Sequence, residues 1–122
     1  MRRSAILLAA LLAAVPSAAA GDAAHGQALW EAKCIACHAL DANKVGPKHR
    51  GVYGRTAGTA PGYAYSAALR ASGIVWDAGA LDTWLQGPRD LVPGTKMTFR
   101  LAQPEDRADV IAYLKSLSPV PD

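Results

Sequence analysis

Cysteine is scarce in this 122-residue chain: Cys34 and Cys37 are the only two. With three histidines beside them, they argue against a structural zinc site, which takes four protein ligands usually dominated by cysteine. Runs of lysine or arginine are absent, as are aromatics clustered beside lysines, so the basic footprint of a nucleic-acid binder is missing. No internal repeat or low-complexity segment follows the N-terminal region, and no stretch shows the polar–apolar alternation of a half-buried strand. Long apolar runs are lacking too. The longest, Ala5 to Val15, is well short of the roughly 20 residues that a spanning helix needs, so no stable membrane insertion is expected. Beyond the N-terminal region one methionine remains, Met97.

What is present begins with Arg2 and Arg3 ahead of that apolar run and Ala18-Ala19-Ala20 behind it. This is the layout of a secretory signal peptide. Cleavage after about Ala20 leaves a single domain of 102 residues, Gly21 to Asp122, expected in the periplasm. Without the two arginines, 11 Lys and Arg stand against 10 Asp and Glu, a mature net charge of +1. A domain of this size buries only a modest core, and many such domains lean on a metal, a disulfide or a cofactor.

Four helices are expected, separated by glycine- and proline-rich loops. The first runs from Ala23 to about Ala36, capped by Asp22, with Gly26 and Trp30 sharing a face. A short second covers Ser66 to Ala71 and stops at Gly73. A third spans Ala78 to Gln86, with Asp77 as cap and Leu81, Trp84 and Leu85 as apolar face; Gly87 and Pro88 end it. The last starts at Pro104, carries Glu105 and Asp106 in its first turn, and shows an apolar stripe of Val110, Ile111, Leu114 and Leu117 before Pro119. Leu40 to Tyr65 forms a 26-residue loop without structure of its own, a length unusual in a compact domain unless it wraps something.

The segment C-I-A-C-H, Cys34 to His38, admits three chemistries. A thiol–disulfide enzyme places its cysteine pair after a strand, and here the pair follows a helix. A zinc site lacks ligands, as above. C-x-x-C-H is also the attachment signature of c-type haem. Two thiols three residues apart reach the two vinyl groups on one porphyrin edge, and the next histidine turns beneath the ring toward the iron. Export agrees, because attachment takes place outside the cytoplasm. On the far face the candidate ligand is Met97, in LVPGTKMTF, where Pro93 and Gly94 shape a loop; Met/His ligation raises the potential for electron transfer. His25 and His49 are the rivals, both expected at the surface.

In combination and in order, GQALWEAKCIACH, VGPKHRGVYGRTAG, APGYAYSAAL, GIVWDAGALDTWL, VPGTKM and DRADVIAYLKSL resemble the class I cytochromes c of the soluble mitochondrial and bacterial type. The resemblance covers nearly all of the mature chain. It implies an all-α fold in which the N- and C-terminal helices cross and loops wrap one covalent haem c. By the same resemblance Cys34 and Cys37 carry thioethers, and His38 and Met97 are the axial iron ligands. Pro47 accepts the His38 ring N–H, which fixes the ring and raises its donor strength. Arg55, Tyr65, Trp76 and Thr95 match positions that hold the haem propionates. Gly26 and Trp30 with Val110 and Tyr113 match the helix crossing, and Phe99 matches the aromatic beside the haem edge.

The chain departs from the pattern in four places. Trp84 stands where a tyrosine is common, Leu69 replaces a polar residue, His49 occupies an aliphatic position, and Asp90 interrupts a lysine pair. The implied function is a soluble, monomeric, monohaem electron carrier and not an enzyme. Its partners are redox proteins, with Lys33, Lys44, Arg89, Lys96 and Arg100 lending mild positive charge around the haem edge. The alternatives are a peroxidase-like haem enzyme and a small-ligand or redox sensor with a labile Met97.

Overall fold

The computed structural model describes residues 4–12 and 21–119. Arg2, Arg3 and the cleavage motif Ala18-Ala19-Ala20 lie outside the described residues. Residues 4–12 form no helix and leave Ile6, Leu7, Leu8, Leu11 and Leu12 84–95% exposed, so this apolar stretch adds nothing to the core. Among the described residues no helix is long and apolar enough to cross a membrane.

Helix α1 spans Ala23–Lys33. The Asp22 carboxylate caps it by accepting the Ala24 and His25 amides at 3.0 and 3.1 Å, satisfying donors that have no partner inside the helix. It ends at Lys33 and not near Ala36. The Cys37 and His38 amides both turn back to the Cys34 carbonyl, at 3.1 and 2.9 Å, so the C-I-A-C-H segment is a turn hung on the end of α1. Helix α2 is Ala67–Ala71, capped by the Ser66 hydroxyl, and α3 is Ala78–Gln86, capped by Asp77, with Leu81, Trp84 and Leu85 buried as the apolar pattern predicts.

Among the described residues there is one helix more than predicted. Pro88 does not stop α3 so much as start α4, Pro88–Leu91, because proline suits the first helical turn. The break falls at Gly87, whose backbone leaves the helical region. Helix α5 then runs over Pro104–Ser116. Among the described residues the only extended pairing is an isolated antiparallel bridge between Thr56 and Val75.

The frame is the packing of α1 on α5. A Cβ at Gly26 would lie 1.9 Å from the Asp109 carbonyl oxygen, so glycine is what lets the two backbones meet. Trp30 and Tyr113 fill the contact with ring centroids 6.1 Å apart, beside the buried Val110. Helix α3 joins through Arg107, which is only 8% exposed. Its guanidinium donates to Asp82 at 2.7 Å and to the Leu101 and Ala102 carbonyls at 3.0 and 2.8 Å. The apolar stripe passes over this residue, since a buried arginine carries no hydrophobic signal.

At the start of α1 the His25 Nδ1 lies 2.6 Å from Asp109 on α5, while the other Asp109 oxygen accepts the Asp22 amide at 2.7 Å. The bond to Asp109 raises the His25 pKa; the Asp22 amide and then His25 lower that of Asp109. The histidine contribution is fully present below its unfolded value of about 6.5 and is lost as pH rises through the raised folded value. The carboxylate contribution is present above its unfolded value and is lost as pH falls through the lowered one. The pair therefore favours pH 5.5 over pH 8.5, opposite in sign to the buried His38 and His49, whose lowered values cost stability in acid. His25→Gln should lower the melting temperature more at pH 5.5 than at pH 8.5, and an equal loss at both would show that the pair contributes nothing.

The loop 40–65 is fastened at several points. The His49 and Arg50 amides donate to the Ala39 and Leu40 carbonyls at 3.0 and 2.9 Å, and Gly46 donates to Cys37 at 2.7 Å. Further on, the Tyr63 hydroxyl donates to Val45 at 2.6 Å, and the Gly54 and Ala57 amides reach Trp76 and Ile74, each at 2.7 Å. Left-handed glycines such as Gly58 and Gly62 allow the reversals in between.

Candidate functional site

The wrapped loop, α2, α3 and the segment after α4 surround one largely apolar cavity of about 420 Å³. Its walls include every residue that the resemblance assigns to the haem: Cys34, Cys37, His38, Pro47, Arg55, Tyr65, Trp76, Thr95 and Met97. Residues separated by up to 63 positions in the chain therefore meet at one place.

On the side of the C-I-A-C-H turn Cys37 is exposed and Cys34 half-buried. Burial, with the neighbouring Cys37 adding to it, pushes the Cys34 thiol up to about 11. His38 is 8% exposed, and its Nδ1 donates to the Pro47 carbonyl at 2.8 Å. That bond leaves Nε2 as the nitrogen with a free lone pair. Burial lowers the His38 pKa against the opposing pull of the Pro47 carbonyl, which favours the neutral imidazole that a metal requires.

Gly46 completes this wall. A Cβ there would sit 2.2 Å from Cε1 of His38, so the loop passes flat against the imidazole. Its signal in the sequence is the glycine of V-G-P, next to Pro47. His49, expected at the surface, instead stacks on His38 with ring centroids 3.8 Å apart and planes 21° apart. Its Nδ1 accepts the Trp30 indole N–H at 2.8 Å. Burial, then the nearby His38 and Arg55, hold His49 well below the usual histidine range. His25 does face solvent, as expected, with its side chain 51% exposed.

The opposite end of the chain supplies Met97, half-buried in an irregular segment. The Lys96 ammonium donates to the Ala64 carbonyl and lies 5.6 Å from the Tyr63 ring centre, tying this segment to the wrapped loop. The Arg89 guanidinium donates to the Thr95 carbonyl at 3.3 Å and ties it to α4. Thr95 and Trp76 are buried, and Arg55 donates to the Lys48 carbonyl at 3.1 Å. Burial lowers the Arg55 pKa, the mark of a cation held in a poorly solvated place. Trp84 meets Trp76 edge to face at 5.0 Å, and Leu69 is buried in the same wall, so both departures replace polar groups with apolar surface.

A planar iron macrocycle suits this donor set. The cavity is apolar enough for a porphyrin, and two thiols, a neutral imidazole and a thioether line it together. Arg55, Tyr65 and Thr95 add polar groups of the kind that anionic substituents need.

Comparison with known proteins agrees with this chemistry. The family model described as cytochrome c matches residues 23–118. The chain is 47% identical to a cytochrome c of Euglena viridis over 100 residues, covering 80% of this chain and 98% of that protein. It is 44% identical to cytochrome c2 of Rhodomicrobium vannielii over 110 residues, covering 87% of each. Among solved structures, cytochrome cH from Methylobacterium extorquens superposes with a TM-score of 0.76 at 49% identity, over 79% of this chain and 99% of that one.

Proposed function

The chain belongs to the cytochrome c family and is an electron carrier with one covalent haem c; from that premise we propose that His38 and Met97 are the axial ligands and that Cys34 and Cys37 hold the group as thioethers. The observation that carries this reading is the meeting of all four side chains on one apolar cavity. When bound, the haem supplies a reversible one-electron couple.

The chain's own residues set the conditions for that couple. Pro47 orients His38 and increases its basicity. Arg55, Tyr65, Trp76 and Thr95 would hold the haem propionates, and the apolar wall of Leu69, Trp76 and Trp84 would keep water away. With His38 and Met97 both on the iron no position would be left for a substrate, which is the chemistry of a carrier and not of an enzyme. The N-terminal apolar stretch, with Ile6, Leu7, Leu8, Leu11 and Leu12 almost fully exposed, is a removable secretory signal, and the domain from Gly21 onward acts in the periplasm as a monomer.

Docking to a redox partner takes place near Ile35, Val45 and Phe99, which are 49%, 72% and 37% exposed around the cavity and its attachment turn. Electrostatic steering there is mild. Lys44 is tied to the Ile35 carbonyl at 2.8 Å, Lys96 and Arg89 hold the Met97 segment, and Arg100 is paired with Asp90 at 2.9 Å. Reduction by an acidic partner should slow only slightly as salt rises, and a rate independent of salt would refute steering altogether. The ligand assignment has its own test. The oxidised protein should show the weak sulfur-to-iron charge-transfer absorption, and its absence would remove Met97 from the iron.

A further inference from the structure

His49 is a side chain against the His38 ring to which the electron-carrier chemistry gives no role. Two rings 3.8 Å apart and 21° from parallel are in face-to-face contact. His49 is itself held from three sides. Its amide donates to the Ala39 carbonyl at 3.0 Å, its Nδ1 accepts the Trp30 indole N–H at 2.8 Å, and the Trp30 ring leans on it with centroids 6.0 Å apart. Trp30 in turn is 4% exposed and fixed in the α1–α5 contact by Tyr113.

We infer that His49 is a positioning residue for the axial imidazole: clamped by Trp30, its ring fixes the rotational setting of His38 about the bond to iron. The Pro47 carbonyl holds one edge of the His38 ring and the Gly46 backbone lies against it, which sets where the ring sits. The flat His49 ring across its face limits rotation further, and the Trp30 bond keeps that neighbour in place by choosing one ring flip and leaving the ring proton on Nε2. A helix-packing contact is thereby linked to the iron through two rings. The stacked imidazole also places π-electron density against the ligand, which favours the more positive ferric iron.

The inference rests on His38 as ligand, and the test separates the two. His49→Leu alone would leave the buried Trp30 N–H without an acceptor, so it is combined with Trp30→Phe. A second pair, Trp30→Phe with His49→Phe, keeps an aromatic face but removes the nitrogen. All three holoproteins are compared by the proton NMR shifts of the ferric haem methyls, which report the orientation of the axial imidazole plane, and by midpoint potential at one pH. The leucine pair should rearrange the methyl-shift pattern and shift the potential upward, while the phenylalanine pair stays closer to the parent in both. Overlapping methyl patterns in the parent and the leucine pair would overturn the inference, as would identical behaviour of the two pairs. A parent protein lacking low-spin histidine–methionine spectra would instead refute the ligand assignment beneath it.

Discussion

Met97→Ala is expected to lower the reduction potential and to open the iron to added ligands such as cyanide or imidazole. Thioether sulfur is a soft, weak donor that favours ferrous over ferric iron, and alanine leaves water or an added ligand in its place. Axial-ligand identity moves haem potentials over a span of about 0.8 V, so the fall should be a sizeable fraction of that range. The segment itself should survive, because it is held by neighbours and not by the sulfur: Lys96 on Ala64, Arg89 on Thr95, and the Leu101 amide on the Leu85 carbonyl at 2.8 Å. Potentiometry and a ligand titration check both halves. An unchanged potential with no gain in ligand binding would mean that another group fills the position.

Cys34→Ala combined with Cys37→Ala should abolish stable folded holoprotein. The reason lies in the cavity. An unfilled apolar space of about 420 Å³ leaves its lining without packing partners, a loss that counts against the roughly 5–15 kcal/mol by which a whole domain is stable. Val52, Leu69, Trp76, Leu81, Trp84, Leu85, Val110 and Leu114 all border that space, so more than half of the core has its other packing partner inside it. Circular dichroism and haem absorption of the purified variant make the measurement. A helical, cooperatively melting double variant without haem would show that the protein core suffices by itself.

The parts of the molecule legible in the sequence are those with strong local chemistry. Asp22, Ser66 and Asp77 mark helix starts because each offers a short side-chain oxygen to orphan amides, and all three caps form. The C-I-A-C-H string, the lone methionine and the long wrapped loop announce a cofactor before any fold is drawn. What stayed hidden depended on distant partners. His49 reads as a surface histidine until Trp30, 19 residues earlier, turns its indole N–H toward it. Arg107 reads as solvated until Asp82, 25 residues earlier, meets it inside the fold. Pro88 signals both a stop and a start, and only the backbone at Gly87 decides between them.

The contact between α1 and α5 also sets an order of assembly. Asp22 and Asp109 are 87 residues apart, and the helix that positions the attachment turn has its partner at the far end of the chain. During synthesis from the N-terminus α1 forms before the surface it packs on exists, so the frame of the domain closes only once the last helix is present. Contacts between the chain's ends form slowly because the loop that they close is long. The C-terminal helix is thus the clasp of the fold, and until it docks the turn at Cys34 and Cys37 has no frame behind it.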